Sequence, residues 1–355
     1  MRSFAEVFGG TAEALGDAPG RVNLLGEHTD YSEGFVLPTA IEQRTRVALR
    51  RSRDASYSVY TANLDQVARF TLDTPPTESF ARYVYGCVRQ LADTGVTIPP
   101  LDIHVASDVP IGAGLSSSAA LEVATLRALH RLLGLDVDPV RIAQLAHRAE
   151  TEHAGVNCGI LDQMACSLLE GPGMLFLDTR SLDRELLPLP AGAEVLVIDC
   201  GVQRELASTH YNQRRSECET AARLLGVPTL RDVHEERDVE ALPEPLRRRA
   251  RHVVSENARA RQAAQGVDAR TFGLLMAASH RSLRDDYQVS IPAMDELVAG
   301  LTTAKGVFGA KLTGAGFGGA CVALCELGAT ARVAHEVLAV YNTSSRQGRI
   351  LVPVR

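Results

Sequence analysis

The run Pro110-Ile111-Gly112-Ala113-Gly114-Leu115-Ser116-Ser117-Ser118-Ala119-Ala120 limits the fold of this chain more than any other stretch. Before it, Ile103 to Val109 reads as a strand. After it, Leu121, Thr125, Ala128 and Leu132 recur at helical spacing and Gly134 supplies a stop, so a helix is predicted over 116–133. The glycines let backbone approach another surface with no Cβ in the way. The serines fall at the helix start, where free N–H groups and the positive end of the dipole suit an anion such as phosphate. A later run, Lys311 to Gly319, formally contains GxGxxG at Gly314, Gly316 and Gly319. A dinucleotide fingerprint needs a strand before it and a helix after it. Here Ala320 to Cys325 follows, short, apolar and partly β-branched, which reads as a buried strand. The run is therefore read as a Gly-rich turn between two strands, bringing backbone close to another part of a site.

The remaining pattern is mixed. Residues 20 to 72 read as short strands with turns, and Phe80 to Ala92 as a helix. Asp138-Pro139 is a cap followed by proline in the first turn, starting a helix that runs to about His153 and stops near Gly155. Gly159 to Leu169 is a further short helix and Val195 to Asp199 a buried strand. Asn212 to Leu225 is read as an amphipathic helix with Ala221, Leu224 and Leu225 on its apolar side and its charges in water. The polar, Arg-rich stretch 231–270 is expected to be helical and exposed, with no function assigned. Helices over 291–304 and 329–341 flank the Gly-rich turn and its second strand. Strands and helices do not alternate strictly, so an α+β class is favoured over a doubly wound parallel sheet. With 355 residues there is chain enough for two domains, taken as 1–170 and 171–355.

The run Gly20 to Tyr31, GRVNLLGEHTDY, places a guanidinium, carboxylates and an imidazole close together behind a Pro-Gly turn. That set suits a small hydroxyl-rich ligand: carboxylates accept from sugar hydroxyls, imidazole donates or accepts, and Arg21 can sit beside a group that gains negative charge. A net charge of −6 gives no support to nucleic-acid binding, and any anion site must be built locally. No apolar run reaches the length of a membrane span, and Met1 to Gly10 lacks a signal core. Seven cysteines without CxxC spacing fit a reducing cytoplasm, and Cys158 is read as a small buried apolar residue. The histidines have no mutual spacing suited to zinc, and no Walker A lysine, HRD or DFG string occurs.

GRVNLLGEHTDY resembles the signature of galactokinases, within the GHMP group of small-molecule kinases, and GxGLSSSAA downstream resembles that group's nucleotide-phosphate loop. Lys311 to Gly319 resembles the third GHMP motif, with Ala315 in place of the middle of three glycines. Gly159-Ile160-Leu161-Asp162-Gln163 resembles the family's GIMDQ string, and Glu205 to Arg215 its HELASSxYNxRR segment. The likeness runs from about Ala18 to Leu324 and is weakest over Asn342 to Arg355.

The resemblance implies a two-domain α+β fold, with an N-terminal ribosomal-protein-S5-like domain, a C-terminal ferredoxin-like domain and the active site between them. It implies ATP-dependent phosphorylation of D-galactose at the anomeric hydroxyl. Asp162 and Arg21 would be catalytic. Whether Asp162 is a true base or an electrostatic helper stays open. Arg21, Glu27, His28, Asp30, Gly159, Asp162 and Tyr211 would bind the sugar. Gly112, Gly114, Leu115, Ser116, Ser117 and Ser118 would bind ATP, and Ser118 and Glu150 would hold Mg²⁺, with Glu152 as the competing glutamate. The partners expected are small molecules only, with no nucleic acid or membrane, for a cytoplasmic monomer. Two rival readings remain: a sister kinase for N-acetylgalactosamine or a related sugar, and a catalytically silent sugar sensor. EHTDY argues against mevalonate- and homoserine-type relatives. Sensor relatives lack part of the Ser-Ala stretch, which is complete here from Ser116 to Ala120.

Overall fold

The computed structural model describes residues 1–136, 138–202, 207–344 and 346–353. It falls into two compact units. One comprises Met1–Arg21, Gln43–Pro110 and Ser116–Glu170; the other comprises Val22–Glu42, Ile111–Leu115 and Gly171–Arg355.

The first unit opens with a short capped helix α1 (Phe4–Phe8). Strands β1 (Ala14–Leu25) and β2 (Phe35–Arg51) each run through a unit boundary and pair with one another. From Ile41 onward β2 alternates strictly: Gln43, Thr45, Val47 and Leu49 are buried, while Arg44, Arg46 and Arg50 point outward. This period of two marks a half-buried strand. β3 (Tyr57–Thr61) and β4 (Gln66–Phe70) follow, then helix α2 (Ser79–Ala92) and β5 (Leu101–Ser107). β5 lies antiparallel to the Thr45–Arg51 part of β2 and parallel to β3, and β3 is antiparallel to β4. Helices α3 (Ser117–Leu133), α4 (Pro139–Ala149) and α5 (Leu161–Leu168) pack with α2 into one layer. α4 starts as expected, with the Asp138 side chain accepting from the Val140 N–H and proline in the first turn. It runs on into a π turn, Glu150–Ala154, closed by left-handed Gly155.

In the second unit, β6 (Met174–Asp178) pairs with the first part of β2 and with β7 (Arg184–Leu187). β8 (Ala193–Asp199) enters a separate antiparallel sheet, followed by helices α6 (Ala207–Leu225), α7 (Leu246–Ala264), α8 (Ala269–Asp285) and α9 (Pro292–Thr303). β9 (Val307–Leu312), β10 (Ala320–Glu326), α10 (Thr330–Tyr341) and β11 (Arg349–Val352) complete it. The sheet order is β11-β8-β10-β9. β10 sits at an inner position and is buried from Ala320 to Cys325, as its unbroken apolar run requires. α8 lies so close on β9 that Gly273 and Gly309 meet backbone to backbone: a Cβ at Gly273 would stand 2.1 Å from the Phe308 oxygen.

Several expectations are corrected. The strands within 20–72 are not all short, since β1 has 12 residues and β2 has 17. On α6, Ala221 is buried but Leu224 is 57% exposed. The charges of α6 are not all solvated: Arg214 is buried and donates from Nε to the Tyr287 carbonyl at 2.8 Å. The stretch 231–270 is not an exposed helix throughout. It includes α7, which buries Arg249, His252, Glu256 and Asn257. Polar side chains favour water, but they bury where protein donors and acceptors replace it. Helix α8 lay unannounced in the sequence reading. Glu205 and Leu206, at the head of the motif ending in Arg215, lie outside the described residues, as do Val354 and Arg355.

Candidate active site

In the first unit the polar groups converge at the N-terminal ends of α3 and α5. Asp162 stands in the first turn of α5, where free N–H groups favour a carboxylate. Arg21 donates from Nε to Asp162 Oδ1 at 2.8 Å and from Nη2 to the same oxygen. Ser116 Oγ donates to Asp162 Oδ2 at 2.7 Å. Both carboxylate oxygens are thus engaged, the guanidinium is buried, and the Asp162 side chain stays 29% exposed. Ser116 precedes α3 in the left-handed region, at φ 60°, and makes no capping bond to the helix. A non-glycine residue held there is strained, and its hydroxyl serves Asp162 instead of the helix. Ser117 and Ser118 open α3 and are half-buried.

Glu150 opens the π turn, a form of helix common at functional sites. It is buried and bonded by Ser118, Cys158 and Gln163, the last through Nε2 at 2.5 Å. Burial pushes its carboxyl up to about 7; the Ser118 bond opposes this and the Asp162 charge adds to it. Gln163 Nε2 also donates to Glu122 Oε2 at 3.3 Å. Glu122 is fully buried on α3, and burial followed by the Glu150 charge raises it well above the usual carboxylate range. Tyr83 faces the same pair and is pushed up to about 12, by burial and then by Glu150 and Glu122. Among the described residues no Arg or Lys pairs with Glu150 or Glu122. Buried carboxylates beside a hydroxyl, without a cationic side chain, fit a small hard cation that takes oxygen ligands. Glu152 differs: it is half exposed, accepts from Arg148 Nε at 2.9 Å and Gln90 at 2.7 Å, and sits below the usual carboxylate range chiefly through the Arg148 bond. Gly159 lies half-buried in the turn before α5; the preceding residue is held by His147 Nε2 donating to the Cys158 carbonyl at 3.1 Å.

In the second unit three segments meet. Gly112 and Gly114 have positive φ, 77° and 86°, and Leu115 is buried. The Ala320 N–H donates to the Ala113 carbonyl at 3.1 Å, so the Gly-rich turn between β9 and β10 does approach another loop. That turn also touches the residues after β1. The Gly314 N–H donates to Glu27 Oε1 at 2.9 Å, and the fully buried Lys311 Nζ reaches Glu27 Oε2 at 2.5 Å. His28 has φ 62°. Its Nε2 donates to the Ala315 carbonyl at 3.2 Å, so replacing a glycine by Ala315 costs no backbone contact there. Its Nδ1 then accepts from Tyr31 at 2.9 Å, and the hydroxyl chain continues to Tyr287 at 2.5 Å and the Cys218 thiol at 3.1 Å. Burial holds the His28 imidazole down at about 3, so it is neutral at ordinary pH. Tyr211 packs its ring 5.5 Å from His28 and 5.3 Å from Tyr31. Asp30 is half-buried and accepts at its carbonyl from Thr179 Oγ1 at 3.3 Å.

The galactokinase galactose-binding signature matches residues 2–51, the GHMP kinases N terminal domain residues 82–169 and GHMP kinases C terminal residues 260–343. A galactokinase of Roseiflexus sp. (strain RS-1) is 44% identical over 355 residues, 96% of this chain and 91% of that protein. This chain belongs to the galactokinase family. It is a sugar kinase of the GHMP superfamily with the α+β fold expected. Lactococcus lactis galactokinase, solved in complex with galactose, superposes with a TM-score of 0.91 at 32% identity, covering 98% of this chain and 95% of that one. Methanococcus jannaschii mevalonate kinase reaches a TM-score of 0.70 at 17% identity over 96% and 98% of the two chains, which is a likeness of fold alone.

Several residues in these clusters had no role in the sequence reading. Gln163 bridges two buried glutamates, Lys311 answers Glu27, and Glu256 and His252 on α7 bond to the residues after β1. Gln163 and Lys311 stood inside recognised motifs. For α7 the only available signal was His252, Glu256 and Asn257 at i, i+4 and i+5, one helix face among charges otherwise read as solvated.

Proposed function

We propose that the protein transfers the γ-phosphoryl group of ATP to the anomeric hydroxyl of D-galactose, giving α-D-galactose 1-phosphate. The observation that carries this reading is the Asp162 carboxylate, clasped by Arg21 and Ser116 and still partly open. In phosphoryl transfer most of the catalytic effect comes from position and charge, and the acceptor hydroxyl must also lose a proton. Asp162 accepts that proton or orients the hydroxyl, while Arg21 offsets negative charge on the reacting oxygen. Glu27, His28, Asp30, Gly159 and Tyr211 hold the sugar. His28 and Glu27 act largely as fixed framework, because both imidazole nitrogens and both Glu27 oxygens already have protein partners. Gly112, Gly114, Leu115, Ser116, Ser117 and Ser118 bind the nucleotide phosphates through backbone N–H groups and hydroxyls.

Ser118 and Glu150 would hold Mg²⁺, which when bound supplies charge neutralisation on the phosphates. Glu150 is preferred to Glu152 because its carboxylate is buried without a cationic partner, whereas Glu152 is committed to Arg148. We also propose a cytoplasmic monomer; the seven cysteines, none in a disulfide among the described residues, suit a reducing compartment. No described helix is long and apolar enough to cross a membrane.

The test is Asp162→Asn, which keeps shape and removes the proton acceptor. Turnover should fall by about 10³-fold or more while galactose still binds. Turnover within about tenfold of wild type would refute the role given to Asp162.

A further inference from the structure

We propose that one face of α7, formed by His252, Glu256 and Asn257, is the template that sets the shape of the sugar-holding segment 26–35. This inference rests on the reading above that the segment contacts galactose. The three side chains bond to backbone at both ends of the segment. Glu256 Oε1 accepts from the Gly26 N–H at 2.9 Å and stands 3.4 Å from the Glu27 N–H. His252 Nε2 donates to the Glu27 carbonyl at 3.0 Å. Asn257 Oδ1 accepts from the Phe35 N–H at 2.9 Å. All three residues are buried.

The template is itself fixed. Ser279 Oγ donates to Glu256 Oε1 at 2.7 Å, Arg259 Nε donates to Oε2 at 2.7 Å, and His252 Nδ1 lies 2.9 Å from the Ser282 hydroxyl. Burial works upward on the Glu256 carboxyl, but Arg259, then His252 and Lys311, bring it to about 2, so it is a permanent acceptor. Burial lowers His252 to about 4, leaving a neutral ring that can donate from Nε2.

The fit is tight enough to transmit displacement. A Cβ at Gly34 would lie 2.3 Å from Asn257 Oδ1, and one at Gly26 would lie 2.2 Å from the Phe35 oxygen. The segment between these glycines also contains two left-handed non-glycine residues, His28 and Glu33. Such a backbone persists only when its surroundings over-determine it, and α7 supplies those surroundings from side chains that touch no reacting atom. These are positioning residues, and their effect falls on sugar affinity.

Reach, rather than charge, is the property under test. Glu256→Asp keeps the charge and withdraws the carboxylate from the Gly26 N–H. Glu256→Gln keeps the reach and an acceptor for the Gly26 N–H, removes the charge and turns the atom facing Arg259 into a donor. E256D should raise the galactose KM about tenfold with the ATP KM within about twofold of wild type, and E256Q should recover most of the loss. Galactose affinity by titration calorimetry should follow the same ranking. Should E256D not fold, Asn257→Ala at the far end of the segment carries the same expectation. An E256D protein with unchanged galactose KM, or with galactose and ATP KM raised alike, overturns the inference. Asp30→Ala, run in parallel, separates the two levels. If it weakens galactose and E256D does not, the template alone has failed. If neither weakens galactose, the sugar reading of the segment has failed.

Discussion

Asp162, Glu150 and Glu122 are three acidic residues with three different surroundings. Asp162 has a guanidinium and a hydroxyl and keeps an open side. Glu150 and Glu122 are buried around one amide, that of Gln163, with no cationic side chain among the described residues. Such a pair is costly to ionise. The raised Glu150 carboxyl, at about 7 against 4.5, has a definite consequence for stability. Between those two values the folded protein holds a proton that the unfolded chain has lost, so stability falls as pH rises through this window. Glu150→Gln removes that dependence. Without metal, the stability of E150Q relative to wild type should improve by about 3 kcal/mol between pH 5 and pH 8. Urea unfolding at the two pH values measures this, and a constant difference would show that Glu150 ionises freely. The Asp162 site was legible through the string around it. The Lys311–Glu27 pair was not, because its partners stand 284 positions apart and leave no local pattern.

At the scale of elements, most of what the sequence announced came from punctuation. The Gly-Ser entry to α3, the Asp-Pro start of α4 and the Gly-rich turn between β9 and β10 all lie where their chemistry puts them. What escaped were elements whose polar residues are buried by long-range partners. The outward arginines of β2 broke its apolar signal into pieces, and α7 looked solvated because its partners lie more than 200 positions earlier. Close packing was equally silent. Gly273 sits inside α8, where alanine alone would favour the helix by about 1 kcal/mol. The Phe308 carbonyl would lie 2.1 Å from the new methyl group, and β9 backbone is not free to move. Overpacking should win, and Gly273→Ala should destabilise by about 3 kcal/mol. Gly300→Ala on α9, whose Cβ would meet only Val337 Cγ1 at 3.4 Å, should be neutral or slightly stabilising. Equal denaturation midpoints for the two variants would contradict this account of α8 on β9.

For the whole molecule, the fold is shared more widely than the chemistry. A mevalonate kinase at 17% identity still superposes with a TM-score of 0.70, so the architecture does not select the acceptor. We propose that selection falls to a few segments, above all the one carrying Glu27, His28 and Asp30; the galactose-binding signature covers these residues. A net charge of −6 makes no general field for a polyanionic nucleotide. In the proposed function the favourable potential is local, from Arg21 and the helix N-termini that open at Ser117 and Leu161. The measurement that tests the central claim most directly is ADP release from ATP with galactose, beside glucose, N-acetylgalactosamine and mevalonate. The account predicts turnover with galactose that disappears when Mg²⁺ is withheld, and none with mevalonate. Stabilisation by galactose and ATP against heat, with no ADP formed from any acceptor, would contradict it and point to a sugar sensor.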